Sequence, residues 1–149
     1  MRSDFLGYHE AVNIGVPKEI KNNEFRVAIT PAGVRELVSR GHNVAIETGA
    51  GLGSAINDSD YKNVGAAILD SADAVWGSSE LVLKVKEPIA AEYSRMRRDQ
   101  VLFTYLLLAA SKECTDALIG AKNIAIAYET VEVDGQLPLL APMSEVAGR

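Results

Sequence analysis

The chain has 149 residues, the size of one globular domain, and a composition of 48% hydrophobic and 23% charged residues that excludes a disordered or low-complexity protein. Fifteen Lys and Arg against 20 Asp and Glu give a formal charge of −5, so nucleic acid is not expected as a partner, because neutralising phosphates needs a basic face. The longest nearly apolar run, Val101 to Ala110, is ten residues against the roughly 20 of a spanning helix, so no membrane partner is expected either.

The opening MRSDFLGYHEAVN includes Asp4 and Glu10 and lacks the long apolar stretch of a signal peptide. A first strand is expected over Asn13–Pro17. Thr30 suits the N-cap of a first helix, Pro31 its opening position and Gly41 its exit. Within it Val34, Leu37 and Val38 share a stripe, with Arg35, Glu36, Ser39 and Arg40 away from it. Asn43–Glu47 reads as the second strand, Asp58 starts a short helix that Gly65 ends, and Ala66–Leu69 reads as the third strand. Asp70–Trp76 reads as another helix, followed by strands over Glu80–Lys86 and Val101–Leu107. Ser111 begins a helix whose Cys114, Ala117, Leu118 and Ala121 are spaced for a buried face, and Asn123–Glu129 reads as the last strand. Leu81-Val82-Leu83 and Ile124-Ala125-Ile126-Ala127 are apolar on both faces, as in parallel strands covered by helices on each side. The alternation predicts one α/β domain with a mostly parallel sheet flanked by helices.

Cys114 is the only cysteine, which forbids an internal disulfide, suits a reducing cytoplasmic setting and places the thiol in the core rather than as a nucleophile. His9 and His42 are far apart, so no metal site is expected. Chemistry must therefore rest on carboxylates, Lys, Arg and backbone. Gly49-Ala50-Gly51-Leu52-Gly53 follows a strand, but its spacing is G-x-G-x-G, not the G-x-G-x-x-G that opens a helix onto a pyrophosphate. It reads as an ordinary glycine loop.

In doubly wound sheets ligands sit beyond the carboxyl ends of the strands. The loop after the first strand holds Lys18, Glu19, Lys21, Glu24 and Arg26, and the fourth strand ends in Lys84-Val85-Lys86-Glu87-Pro88. Side-chain alternation puts Lys84 and Lys86 on one strand face, with Lys86 nearer the mouth. An Arg there could hold a carboxylate in a two-pronged pair, and a Lys could polarise a carbonyl or imine oxygen, or serve as an acid or base. Spacing alone leaves this open against a solvated charged rim.

The stretch GVPKEIKNNEFRVAITPAGVRELVSRG, Gly15 to Gly41, resembles the opening signature of alanine dehydrogenases and of the related proton-translocating transhydrogenase α-subunits. KVKEP at 84–88 and LPLLAPMSEVAGR at 137–149 point to the alanine dehydrogenase branch. The resemblance covers residues 13–149 and leaves 1–12 as an added tail. It implies the Rossmann-like or flavodoxin-like N-terminal domain of a family that interconverts L-alanine and pyruvate plus ammonia, using NAD. By the same resemblance Arg26 pairs with the substrate carboxylate, Lys86 bonds its carboxylate or carbonyl oxygen, and Tyr105 and Met143 line the pocket.

Two departures accompany the likeness. The family's fifth strand ends in a motif resembling FTxLHLAA with a catalytic histidine, whereas this chain reads FTYLLLAA, with Leu107 in the histidine's place. Leucine exchanges no proton, and such help is worth roughly 10²–10⁴-fold. The chain also stops at Arg149, where the family continues into the domain carrying the nicotinamide and a catalytic aspartate, so no cofactor is expected to bind. The expectation is a truncated alanine dehydrogenase domain without dehydrogenase activity of its own, retaining a site for pyruvate or L-alanine. The alternatives are a non-catalytic oligomerising or regulatory module, a homo-oligomer or a partner of an intact dehydrogenase, and a cofactor-free activity with Lys86 as base.

Overall fold

A computed structural model describes residues 10–148, so the tail expected over 1–12 and His9 lie largely or wholly outside the described residues. Six strands form one sheet: β1 (Asn13–Val16), β2 (Asn43–Glu47), β3 (Ala67–Leu69), β4 (Leu81–Lys86), β5 (Val101–Tyr105) and β6 (Ile124–Ala127). Every pairing is parallel and the order is β3-β2-β1-β4-β5-β6. This is the Rossmann strand order rather than the flavodoxin one, and the chain reverses direction across the sheet between β1 and β4.

The helices start where short polar side chains can take up free backbone N–H groups. Thr30 accepts from Gly33 at the head of α1 (Pro31–Ser39), and Gly41 at φ +88° turns the chain out of it. Asp58 opens α2 (Asp58–Lys62), one residue after the Asn57 N-cap, whose N–H bonds the Asp60 carboxylate. The helix expected over Asp70–Trp76 runs instead as α3 (Ala72–Ser78), because Ser71 caps it through Ala74. Ser111 caps α4 (Lys112–Ala121) through Cys114, and α5 (Ala141–Ala147) closes the described chain.

Alternate residues of β4 divide between two cores, as a sheet covered on both faces requires. Leu81 and Leu83 join Val34, Ile46 and Tyr61 on one side, while Val82 joins Trp76, Leu102, Cys114 and Leu118 on the other. Each fully buried side chain of this size contributes about 1.5–3 kcal/mol. β6 departs from the expectation of coverage on both faces. It is an edge strand, and Ile124 and Ile126 are 52% and 41% exposed, so its apolar pattern does not mean burial. β5 also ends two residues early, at Tyr105, because Leu107 turns into the left-handed region at φ 45°.

Candidate active site

At the β1/β4 reversal the segment after β1 is bonded to β4. Glu19 leaves β1 and turns inward, where its carboxylate lies 3.0 Å from Lys84 Nζ and accepts from Val85 N at 2.6 Å. Glu92, on a 3₁₀ turn over Ala90–Arg95, stands 2.9 Å from the same ammonium, and all three side chains are at most 3% exposed. Two carboxylates thus share one cation away from water. Burial pushes the Glu19 carboxyl up, against the downward pull of Lys84 and of the Val85 N–H. Lys84 is therefore internal structure, not part of the open site.

Lys86 is separated from Lys84 by a bulge, which corrects the expectation that they share a strand face. Leu83 stands opposite Phe103 and Lys86 opposite Tyr105, so three steps on β4 match two on β5 and the alternation is broken. The Lys86 ammonium lies 4.9 Å from the centroid of the Tyr105 ring, a cation–π contact. Peptide groups released by the bulge find side-chain partners: Thr104 donates to Lys86 O at 2.9 Å, and the Tyr128 hydroxyl meets Lys84 O and Val85 O at 2.6 and 2.8 Å.

Arg26 is half exposed and its guanidinium is held by Glu24, Nε to Oε1 at 2.8 Å and Nη2 to Oε2 at 2.7 Å. That fork leaves both Nη1 protons and one on Nη2 available. The Arg26 hydrogen bonds hold Glu24 below the ordinary carboxylate range, and the Lys86 charge adds a smaller pull in the same direction. The pairing in turn pushes Arg26 further up. Arg26 and Glu24 border a cleft of about 280 Å³ whose other wall is the glycine loop with Lys18 and Phe25.

That loop is not a phosphate cradle. A Cβ on Gly53 would meet Phe25 O at 2.3 Å and one on Gly51 would meet Ile56 O at 2.6 Å, so both glycines serve close packing of the chain on itself. The loop leads only into a 3₁₀ turn, Leu52–Ser54, and the segment joining β1 to α1 carries no glycine fingerprint. The described residues do not fit a dinucleotide. They also contain no group of three or more His, Cys, Asp or Glu able to hold a metal ion.

Tyr105 ends β5, and Leu107 follows it, 47% exposed with φ 45° and ψ 46°. Met143 is half-buried on α5 and does not line the Arg26 cleft, and neither do Lys86 and Tyr105. His42 accepts from Val12 N through Nδ1 at 3.3 Å, a contact that ties the end of α1 to the start of β1. The residues that sequence reasoning did not single out for their roles are Glu24, Tyr128 and Glu129. Only the two-residue spacing of Glu24 and Arg26 hinted at one of them.

The family described as "Alanine dehydrogenase/PNT, N-terminal domain" matches residues 15–147. The chain is 67% identical over 91% of its length to an alanine dehydrogenase of Mycolicibacterium smegmatis and 58% identical to one of Methanococcus maripaludis. It spans about 37% of the length of each of these relatives. Among solved structures, an L-alanine dehydrogenase superposes with a TM-score of 0.89 at 56% identity, over 92% of this chain and 38% of that one. A transhydrogenase from Sinorhizobium meliloti reaches 0.73 at 34% identity, over 78% of this chain and 33% of that one.

Proposed function

Because the chain belongs to the alanine dehydrogenase/PNT N-terminal domain family, we propose that it binds the small carboxylate substrate of that chemistry, pyruvate or L-alanine, without turning it over. The observation that carries this reading is the Arg26 guanidinium, held flat by Glu24 with its remaining N–H donors free. A planar fork with two parallel donors fits a carboxylate better than a point charge does. Arg26 takes the substrate carboxylate, and Lys86 bonds its carboxylate or carbonyl oxygen. The Tyr105 ring beneath the ammonium supports a cation's role for Lys86 rather than a base's. Lys86, Tyr105 and Met143 stand outside the cleft that Arg26 borders, so their part in this reading rests on the family resemblance.

Turnover is excluded in this reading by Leu107. The position that would pass a proton carries an aliphatic side chain, and no histidine among the described residues stands near it. Calorimetric titration of pyruvate and of L-alanine should show binding by the wild type and none by Arg26→Ala. An NADH-coupled assay with pyruvate and ammonia should stay at the no-protein blank, and a rate well above it overturns the inactivity. The buried thiol of Cys114 suits a reducing cytoplasmic setting. No helix among the described residues is long and apolar enough to cross a membrane.

A second reading rests on β6. Its exposed Ile124 and Ile126 border a free sheet edge, which invites pairing with another chain. A second copy, or an intact dehydrogenase, is the partner this reading requires. Light scattering at tens of micromolar should give a dimer or larger, and a monomeric mass with no co-purifying dehydrogenase removes this reading.

A further inference from the structure

Two adjacent side chains just past β6 reach across to the ends of two different strands. From this geometry we infer that Tyr128 and Glu129 form a clamp that positions Lys86 and residue 107, making both positioning residues of the substrate site. The inference rests on the reading that Lys86 faces substrate, and it adds what holds Lys86 there.

Tyr128 acts on β4. Its hydroxyl has one proton to give and meets two carbonyl oxygens, Lys84 O at 2.6 Å and Val85 O at 2.8 Å. Those carbonyls belong to the bulge that breaks the alternation and turns Lys86 onto Tyr105. Without a donor there, two half-buried carbonyls would lose their partner and the strand could return to regular pairing, which would carry Lys86 to the opposite face. The ring itself is fixed edge-on against Phe103, 5.1 Å between centroids, and tilted against Tyr105 at 6.4 Å. Burial pushes the phenol up to about 12, so it remains a donor at neutral pH.

Glu129 acts on β5. Its carboxylate accepts from Leu106 N at 3.1 Å and from Leu107 N at 2.8 Å. Both N–H groups are freed where β5 ends and Leu107 enters the left-handed region. Two charge-assisted bonds on consecutive amides hold a turn that leucine disfavours, so the backbone of residue 107 is set from outside rather than by its own side chain. Neighbouring residues thus hold the ends of both β4 and β5.

The test reads position and binding separately. With lysines reductively dimethylated using a ¹³C label, the Lys86 methyl signal is the one missing in Lys86→Met. In Tyr128→Phe, which keeps the ring packing and loses only the hydroxyl, that signal should lose its ring-current shift. Pyruvate affinity should fall about tenfold, while Tyr128→Phe made in the Lys86→Met background should cost nothing further. An unmoved Lys86 signal, or an equal loss with and without Lys86, overturns the Tyr128 arm. A moved signal in a protein whose wild type binds no pyruvate leaves the clamp standing and removes the proposed function instead. Should Tyr128→Phe not fold, Glu129→Gln remains: the Leu106 and Leu107 amide resonances should shift in it, and unchanged resonances overturn the Glu129 arm.

Discussion

Lys84 Nζ lies 3.0 Å from Glu19 Oε2, joining two almost wholly buried side chains 65 residues apart in the chain. The contact bolts the segment after β1 to β4 at the point where the sheet reverses direction, and Glu92 shares the same ammonium. Site geometry at Arg26 and at Lys86 therefore hangs on one interior cation.

Removing that cation should be costly. Lys84→Met leaves two carboxylates buried without a counter-ion, and losing one partner of a buried pair typically costs about 3–5 kcal/mol. Urea unfolding should show that loss at pH 7. A change under about 1 kcal/mol would mean that water reaches these carboxylates.

The alkaline limb of stability should report Tyr61. Its hydroxyl donates to Ile29 O at 2.7 Å, and burial pushes the phenol from 10.0 up to about 12. A group raised in the folded state binds its proton more tightly there than in the unfolded chain. Its contribution is therefore complete below pH 10 and fades as pH climbs through 12. Thermal melts of the wild type should fall over that interval and those of Tyr61→Phe should fall less. Tyr128, also pushed up to about 12, adds to the decline, as do the Tyr93 phenol and the Cys114 thiol, both raised by burial.

Replacing Arg26 by lysine should not rescue pyruvate binding. The Glu24 fork requires two nitrogens of one plane, which an ammonium lacks, and a hydrogen bond to a charged group is worth about 1.5–3 kcal/mol. Calorimetry should find Arg26→Lys weaker by about ten- to a hundredfold. Affinity matching the wild type would show that charge alone suffices.

Residue 107 should tolerate exchange. Leu107 sits at φ 45°, where Asn and His are more at ease than an aliphatic side chain, and it is nearly half exposed. Leu107→Asn should raise stability by about 1 kcal/mol in chemical denaturation. Leu107→His should fold within about 0.5 kcal/mol of the wild type and still give no NADH-coupled turnover, because the described residues offer a dinucleotide no fit. A destabilised Asn variant would show that the leucine packs against something essential.

Local signals carried much of the fold. The caps at Thr30 and Ser111, the stripe on α1 and the short apolar strands follow from sequence neighbours, because helix termini and strand alternation depend on residues a few positions apart. The same holds for β2, which spans Asn43–Glu47 as expected. Legibility failed at β6, whose Ile-Ala-Ile-Ala pattern is the same for a covered strand and for an edge. Its exposure follows from its place in the sheet order, which no local pattern encodes.

The amino-acid sequence by itself determined the class of fold, the family likeness and the presence of charged residues at the strand ends. Which charges face solvent was decided only in three dimensions. Lys84 and Lys86 are two positions apart and chemically identical, yet one is entombed between Glu19 and Glu92 and the other lies on an aromatic ring. The difference comes from one extra residue in the β4 ladder, held by hydroxyls from Thr104 and Tyr128. A bulge reverses the face of everything after it, and its partners come from distant strands, so only the assembled sheet sets which way a lysine points.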